Sequence, residues 1–437
     1  MTTRPRPTPL RSLGALAALT LTLPVDLAVT AAALVSTRAA RPAPAADRKT
    51  VLISGGKMTK ALQLARSFHA AGHRVVLVEK DTYRFTGHRF SRAVDAFHVV
   101  PDPRDPGYAD ALLRIVQAEG VDLYVPVCSP VASEFDAASA EVLAGHCEVL
   151  SLEPEMVRTL DDKHRFTELA ASLGLSVPDT HLVTDPQQVL DFDFSGRPRP
   201  YVLKSIAYDP VHRLDLTQLP LPTRAATRAF LAGKPISADN PWILQEFVAG
   251  AEVCTHSTAR DGVVTVWCCC PSSAFQVNYA QVDRPRIREW VTTFVRELGL
   301  SGQVSFDFLE EADGTPFAIE CNPRTHSAIT MFYDHPGLAD AYLEPRDTPL
   351  EPLPTSRPTY WSYHELWRAL SSPRTAAERW RVVREGKDAV FDRADPLPHL
   401  VLHHVQIPLL LWKNLLTGGA WNRIDFNIGK LVMPAGD

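Results

Sequence analysis

The sequence lacks the cysteine spacing of a zinc site, because no CxxC motif and no Cys/His pair has ligand spacing. It also lacks an excess of charge of one sign: 45 Lys and Arg stand against 50 Asp and Glu, and no long charged block occurs. We therefore expect no nucleic-acid partner and no charged interaction tail. The pattern favours a reduced, cytoplasmic protein. The seven cysteines are Cys128, Cys147, Cys254, Cys268, Cys269, Cys270 and Cys321.

Both common phosphate-binding fingerprints are missing as well. Gly55-Gly56-Lys57 stands between a short apolar run and a stretch with helical spacing, but it fits neither GxGxxG nor GxxxxGK[ST]. A strand-to-helix junction still presents backbone N–H groups and a helix dipole to an anion. We interpret the segment as a tight turn, with substrate contact as the alternative.

An apolar run, residues 13–35, follows three arginines near the amino terminus. This pattern resembles a signal peptide or a membrane anchor. Pro24 and Asp26 near its centre argue against a simple span, because a carboxylate at mid-bilayer is costly. We favour peripheral or hairpin-like attachment over a transmembrane anchor or a cleaved signal. Residues 38–47 are predicted to be a linker, which completes an N-terminal segment of residues 1–47.

Alternating strand and helix patterns begin near Lys49 and indicate a β–α–β unit. We predict that residues 48–150 form an open parallel α/β domain. Residues 151–345, in which helices precede strands, form a second domain, and residues 346–437 are a C-terminal extension. The strands predicted in the second domain are Tyr201–Ser205 and residues 242–248, 263–269, 304–309 and 316–321.

Two further apolar segments allow more than one interpretation. Cys268, Cys269 and Cys270 favour a buried strand over a metal or redox site, because neighbouring strand residues point to opposite faces. Residues 401–416 have the amphipathic spacing of a helix packed on the core, with membrane contact as the alternative.

The sharpest chemical pattern is a predicted β-hairpin around Asp313-Gly314, one of the strongest two-residue turn signals. A two-residue turn at this point pairs residues whose numbers sum to 627. Asp307 then faces Glu320, and Ser305 faces Asn322, with all four side chains on one side of the strands. The residues predicted on the opposite, apolar side are Phe306, Phe308, Ile319 and Cys321.

Directly paired carboxylates repel each other, so the hairpin needs a compensating charge. The carboxylates of Asp307 and Glu320, with the amide oxygen of Asn322, make a donor set that suits Mg²⁺ or Mn²⁺. A solvated polar face is the alternative. Arg324 favours the metal site, because a guanidinium beside it can bind a phosphate or carboxylate in bidentate fashion.

Two lysines precede the hairpin along the chain. Lys204 lies inside an apolar strand, where a lysine is by default an edge or surface residue, and Lys163 opens a predicted helix. A later strand, residues 242–248, leads to Glu252. In this order and spacing, the lysines, the strand and the hairpin resemble the ATP-grasp superfamily over about residues 50–345.

The resemblance implies a pre-ATP-grasp domain followed by an ATP-grasp domain with antiparallel sheets, and an enzyme that uses Mg-ATP. It implies that residues 245–248 read adenine, that Lys204 reaches the inner phosphates and that Arg324 stabilises the transferring group or substrate. Asp307 stands where many members have Glu. The implied ATP-binding residues are Lys163, Lys204, Gln245, Glu246, Phe247, Val248 and Glu252, and the implied metal ligands are Asp307, Glu320 and Asn322.

Five further segments and the apolar N-terminal stretch are similar to the ATP-grasp enzymes of mycosporine-like amino acid biosynthesis, the mycosporine-glycine synthases. That resemblance implies phosphorylation of 4-deoxygadusol by ATP, followed by addition of glycine and loss of phosphate. Another carboxylate–amine ligase acting through an acyl phosphate is the alternative, and a non-enzymatic nucleotide-binding or membrane scaffold is a third hypothesis. The five segments are residues 54–68, 86–90, 126–133, 321–332 and 424–431.

Loop residues near the predicted cleft complete the candidate site. His326 is the candidate general acid or base, whereas His88, Arg89 and Ser129 are weaker substrate candidates. For each of them a structural hydrogen bond is the alternative. We expect the enzyme to act in the cytoplasm, with membrane association through residues 13–35, and a homodimer is one expected state. The residues of a candidate lid, or of an exposed connector, are Tyr208, Asp209, His212 and Arg213.

Overall fold

The computed structural model describes residues 9–37, 41–127, 129, 131–207, 209, 212, 215–272 and 278–433. Helix α1 (Pro9–Ser36) runs without a break through Pro24, so the apolar segment does not form the hairpin considered above. Part of the predicted linker, residues 38–40, lies outside the described residues. The rest, which contains a turn at residues 46–47, leads to strand β1 (Thr50–Ile53).

The predicted parallel α/β domain is confirmed. Strands β1 to β5 form one parallel sheet in the order β3-β2-β1-β4-β5. Apolar side chains fill both faces, as expected where helices cover a parallel sheet. The further strands are β2 (Arg74–Lys80), β3 (Ala96–Val100), β4 (Leu123–Val125) and β5 (Glu148–Val149), and the helices are α2 (Thr59–Ala70), α3 (Tyr108–Glu119) and α4 (Ser133–Leu143).

Two antiparallel sheets follow, as the ATP-grasp resemblance implies. One has the strand order β6-β8-β7 and the other β10-β9-β12-β13. The strands of these two sheets are β6 (Thr180–Val183), β7 (Tyr201–Ser205), β8 (Trp242–Glu246), β9 (Ala251–Arg260), β10 (Val263–Pro271), β12 (Gly302–Glu310) and β13 (Pro316–Asn322). Strand β11 (Asn278–Tyr279) lies outside them and pairs with the later strand Thr359–Tyr360. The helices are α5 (Pro154–Asp161), α6 (Lys163–Ser172), α7 (Pro186–Asp191), α8 (Arg224–Leu231) and α9 (Pro285–Glu297). The mixed α/β class is therefore confirmed.

The three consecutive cysteines lie in β10 and are fully buried, so the prediction of a buried strand is confirmed. Their side chains alternate between two hydrophobic clusters: Cys268 and Cys270 face one, and Cys269 faces the other. Cys270 also lies directly opposite Cys254 of β9, with the two sulfur atoms 3.3 Å apart.

The C-terminal region packs against helix α1 and the parallel domain. The predicted helical stretch at residues 401–416 is confirmed, although Leu402–Gln406 form a wide π-helical turn. The helices are α10 (Leu338–Leu343), α11 (Ser362–Ser371), α12 (Ala376–Glu385), α13 (Leu397–Val401) and α14 (Ile407–Thr417). The strands are β14 (Thr359–Tyr360), β15 (Lys387–Asp388), β16 (Arg423–Asp425) and β17 (Lys430–Val432).

Hydrogen bonds join the parallel domain to the antiparallel sheets. The Gln303 side chain of β12 donates to the carbonyl of Pro126, 3.0 Å away, beyond β4. The Lys60 ammonium, buried in α2, donates to the carbonyl of Thr325, just beyond β13. These contacts bring the end of β13 close to the turn that follows β1.

Candidate active site

The hairpin places the predicted side chains together. Asp307 pairs directly with Glu320, and Ser305 pairs with Asn322, across strands β12 and β13. The amide nitrogen of Asn322 lies 3.5 Å from a carboxylate oxygen of Asp307. The three predicted metal-binding side chains therefore share one side of a rigid hairpin.

The predicted two-residue turn is wrong, and so is the predicted position of Ile319. The Gly314 N–H donates to the Glu311 carbonyl, and Glu311 N–H donates to Thr315, which leaves a three-residue loop. Gly314 has φ +80°, as the last position of such a loop requires. A bulge between Asp307 and Phe308 offsets the extra residue, so Ala318 rather than Ile319 lies opposite Phe308 on the apolar side.

The paired carboxylates have opposite pKa shifts. Burial and the neighbouring charge of Glu320 raise the pKa of Asp307 well above its usual value. Burial also acts to raise the pKa of Glu320, but Lys163, Arg324 and Lys204 hold it below the usual range. The ammonium of Lys163 lies 3.6 Å from the Glu320 carboxylate. Among the described residues, basic groups thus compensate the charge of Glu320 more fully than that of Asp307.

This donor set fits a divalent magnesium or manganese ion. Two adjacent carboxylates with an uncompensated repulsion favour a hard cation that takes oxygen ligands. The amide oxygen of Asn322 accepts a hydrogen bond from the Arg324 guanidinium. The same guanidinium donates to Asp161 at 2.9 Å. Asp161, at the end of α5, is a positioning partner of Arg324 that sequence reasoning missed, because no local pattern links the two residues.

Lys204 extends from β7 towards the same carboxylates. Its ammonium donates to the side-chain oxygen of Gln245 at 2.8 Å. Burial lowers the pKa of Lys204 to about 8, against the raising effect of the charges on Glu320, Glu252 and Asp307. Glu252 in turn accepts a hydrogen bond from Ser272 at 3.0 Å. The predicted nucleotide lysine therefore lies in the electrostatic field of the hairpin.

The segment predicted to bind adenine lies at the end of β8, and some of its polar groups already make contacts within the chain. The N–H groups of Glu246 and Phe247 each donate at 2.8 Å, to the carbonyls of Asp179 and Pro200. The Glu246 carboxylate pairs with Arg199 at 3.3 Å. Among the hydrogen bonds of the described residues, none uses the Val248 N–H. Within the described residues, that group is therefore an available backbone donor just beyond the end of β8.

His326 follows the hairpin and makes several contacts within the chain. Its Nδ1 accepts from the Ala328 N–H at 3.2 Å, and its own backbone N–H donates to His256 at 3.3 Å. Its ring also hydrogen bonds the Cys254 thiol and helps to lower the pKa of that thiol well below its usual value, after the larger effect of Cys270. Its acid–base role stays a prediction, and Cys254 is a neighbour that the sequence did not reveal.

A cavity lies at the carboxyl edge of the parallel sheet and is lined by one weak substrate candidate, Ser129. Gly55 and Lys57 line it as well, as expected for a turn that contacts a ligand. Lys57 pairs with the buried Glu79 at 3.5 Å. Glu79 was not singled out from the sequence, although a carboxylate near the end of the apolar strand β2 could have indicated a functional residue.

The other two weak candidates do not line this cavity. The His88 ring is fully buried and its Nδ1 lies 2.9 Å from the Gly56 carbonyl, while its Nε2 has no hydrogen-bond partner among the described residues. Burial lowers the pKa of His88 to about 4, so the ring is neutral. Arg89 stacks on Phe97, with its guanidinium carbon 4.5 Å from the ring centroid.

The candidate lid is described only in part, because Tyr208 and Arg213 lie outside the described residues. Asp209 and His212 are described, and their side chains are 2.7 Å apart. The loop joins β7 to α8 and therefore begins directly after Lys204 and Ser205. Its role as a lid stays a prediction.

Comparison with solved structures shows the same fold in proteins of low sequence identity. N5-carboxyaminoimidazole synthetase from Staphylococcus aureus aligns with a TM-score of 0.53 and 15% identity, over 72% of this chain and 83% of that one. The complex of the same enzyme with ADP aligns with a TM-score of 0.52 and 15% identity, over 73% of this chain and 82% of that one. Biotin carboxylase from Campylobacter jejuni, as a β-γ-ATP complex, aligns with a TM-score of 0.51 and 14% identity, over 68% of this chain and 72% of that one.

No protein-family model and no curated protein matches the sequence. The structural likeness, at this identity, shows the fold alone. That fold is the ATP-grasp fold: a parallel α/β domain followed by antiparallel sheets.

Proposed function

We propose that this chain is an ATP-dependent ligase, and the observation that carries the proposal is the direct pairing of Asp307 with Glu320 beside Lys163, Lys204 and Arg324. Two acids and three basic groups on one rigid hairpin and its neighbours suit a polyphosphate with a divalent cation. The ATP-grasp fold adds support.

Each side chain has a distinct role in this proposal. Asp307, Glu320 and Asn322 would hold Mg²⁺, which when bound neutralises phosphate charge and favours phosphoryl transfer. Lys204 and Arg324 stabilise negative charge on the phosphates as the bond to the leaving group breaks. Lys163 keeps Glu320 ionised from 3.6 Å away. The Val248 N–H, just beyond the end of β8, donates a hydrogen bond to the adenine ring.

The finer proposal is that the chain phosphorylates 4-deoxygadusol and joins glycine to it, giving mycosporine-glycine, ADP and phosphate. Its support is the sequence resemblance in five segments, two of which, residues 54–68 and 126–133, line the cavity at the parallel sheet. This cavity is the proposed site for the ring substrate, with Ser129 as a contact. Lys60 connects this region to Thr325, next to Arg324.

The test is incubation of the purified full-length chain with Mg-ATP, 4-deoxygadusol and a panel of amino acids, followed by mass spectrometry and an assay of ADP. A glycine adduct of the ring that absorbs in the near ultraviolet supports the proposal. An amide without that absorption identifies the alternative, a ligase acting through an acyl phosphate. No ADP release with any acceptor and amine refutes the ligase and leaves a nucleotide-binding scaffold. Light scattering on the same preparation tests the proposed homodimer.

We also propose that the body of the protein lies in the cytoplasm and contacts a membrane through helix α1. By length and composition this helix could cross a bilayer, but a core helix and a signal sequence meet the same criteria. Its exposed apolar residues include Leu21 (80% exposed) and Val35 (84%). Flotation with anionic phospholipid vesicles should recover the wild type, and Leu21→Asp should reduce recovery. Leu216→Asp, in a loop far along the chain, is the matched control, and equal recovery of all three proteins would refute this proposal.

A further inference from the structure

A cluster of histidines lies far from the hairpin in sequence and joins the two ends of the chain. Asp26 of helix α1 faces His399 and His403, and one potential ligand atom from each of these three side chains lies within 4.8 Å of the others. Asp26 is half-buried, and His399 and His403 are buried at 7% and 2% exposure. Each of the three side chains has a hydrogen-bond partner nearby, but Asp26 and His399 face each other at 3.9 Å without a hydrogen bond between them.

The hydrogen bond of His403 fixes which ring nitrogen is free. Its Nδ1 lies 2.8 Å from the carbonyl oxygen of His399, and a carbonyl can only accept, so Nδ1 carries the hydrogen. Nε2 of the neutral ring therefore presents a lone pair. The ring also stacks on Tyr363, with centroids 3.9 Å apart and planes 16° apart, which fixes its orientation. A ring nitrogen tied to a backbone carbonyl is the usual arrangement of a metal-binding histidine.

His399 and Asp26 face each other without a hydrogen bond. His399 Nδ1 is 3.9 Å from the Asp26 Oδ2 atom, which is too long for a hydrogen bond. The opposite nitrogen, Nε2, is 3.2 Å from the Ser362 hydroxyl, which orients the ring. Ligands at about 2.0–2.2 Å from a zinc ion lie about 3–4 Å from one another, so the gap between this carboxylate group and His399 leaves room for a shared cation.

Asp26 keeps one carboxylate oxygen available. His404 Nε2 and the Tyr363 hydroxyl both lie 2.7 Å from Oδ2. Among the described residues, every polar contact of Asp26 involves Oδ2, and none involves Oδ1. The two neighbours therefore orient the carboxylate in the way that surrounding groups orient a metal ligand.

The local backbone contributes to this arrangement. His403 lies in the π-helical turn Leu402–Gln406, and such turns occur frequently at functional sites. A largely apolar cavity of about 370 Å³ lies beside Asp26 and His399. It gives a bound ion room for an exchangeable ligand such as water.

We propose that Asp26, His399 and His403 form a binding site for a divalent first-row transition metal, with Zn²⁺ as the ion that two imidazole nitrogens and one carboxylate suit best. The ion would join helix α1 to the C-terminal helices, independently of the proposed magnesium site at the hairpin. Because the ligands come from opposite ends of the chain, metal binding would stabilise the docking of α1.

The test uses full-length protein without a polyhistidine tag, stripped with a chelator and reloaded with Zn²⁺ in the presence of Mg-ATP. Elemental analysis should find about one zinc per chain. His399→Ala and His403→Ala should lose that zinc, whereas the control His181→Ala, which changes an exposed histidine of β6 that pairs with Asp179, should retain it. Co²⁺ in place of zinc should give visible absorption that shifts or disappears in the two variants.

A second measurement covers the case in which the alanine variants do not fold. Zn²⁺ should raise the thermal unfolding midpoint of the wild type, because a ligand that binds only the folded state stabilises it. Asp26→Asn keeps the size of the side chain and should abolish most of that rise. A wild type that retains no zinc after reloading, or variants that retain as much as the wild type, would overturn the proposal and leave a hydrogen-bonded cluster that binds no ion.

Discussion

Asp307 lies directly opposite Glu320 in the β12–β13 hairpin, yet the surroundings raise the pKa of Asp307 and lower that of Glu320. Lys163 and Lys204 compensate the charge of Glu320, while burial and the charge of Glu320 disfavour ionised Asp307. A divalent cation should stabilise such a pair strongly, because it compensates the negative charges of both carboxylates at once.

The first prediction concerns the charge of Glu320. Glu320→Gln keeps the size of the side chain but removes the partner of Lys163 and one proposed metal ligand. We expect ADP release to fall by about 100-fold or more, since even the partners of metal ligands contribute 10–100-fold. Steady-state ADP assays at saturating Mg-ATP measure this effect, and circular dichroism checks that the fold is kept.

Glu297→Gln is the matched control for that variant. Glu297 lies on the surface at the end of α9 and pairs with its neighbour Arg296. The same chemical change there should leave ADP release unchanged. Normal turnover in Glu320→Gln would rule out the proposed metal role of the hairpin.

The sequence predicted the pairing of Asp307 with Glu320 correctly, although the predicted two-residue turn was wrong. The Asp313-Gly314 signal located the reversal of the chain correctly, because Gly314 supplies the positive φ that the loop needs. The loop has one residue more than predicted, and the bulge that displaces Ile319 restores the register. Bulges depend on packing between strands, so a single-strand pattern does not reveal them.

The second prediction concerns the proton on Asp307. Because its pKa is raised, Asp307 holds its proton to a higher pH than an ordinary aspartate does, and binding of a cation should release protons. The bound state holds fewer protons, so affinity for Mg²⁺ should rise with pH. Calorimetry in two buffers with different ionisation enthalpies measures the release. Asp307→Asn should release none, and a wild type that released none would contradict the assigned protonation.

The third prediction concerns nucleotide binding above neutral pH. With a pKa of about 8, Lys204 loses its positive charge as the pH rises through that value, so affinity for ATP should fall. We expect a loss of about tenfold between pH 7 and pH 9, which corresponds to a bound-state pKa raised by about two units. Fluorescence titration with an ATP analogue at each pH measures the dissociation constant.

Lys204→Arg is the control for the pH effect, because a guanidinium stays charged over the whole range. Its affinity at pH 7 should be lower than that of the wild type, since the hydrogen bond to Gln245 is altered. Its pH dependence between 7 and 9 should be flat. An equally steep decline in this variant would show that another group titrates.

Contacts between distant segments account for what the sequence did not reveal. The elements and most site residues follow from local patterns, such as the apolar run around Lys204 or the cysteines of β10. By contrast, Asp161 meets Arg324 across 163 positions, and Asp26 meets His404 across 378. No spacing rule connects such residues, because only the packing of separate elements brings them together.

The last prediction concerns the turn after β1, where Gly55 has φ +66°. A Cβ atom at Gly55 would lie 2.0 Å from the Val127 carbonyl oxygen, so the backbone there must shift. Gly55→Ala should therefore lower the thermal unfolding midpoint by clearly more than Gly120→Ala, a glycine with φ +60° and open space around its Cβ position. The Gly120 variant carries the backbone strain alone, about 1 kcal/mol. Equal midpoints in the two variants would show that contact with Val127 does not limit the turn.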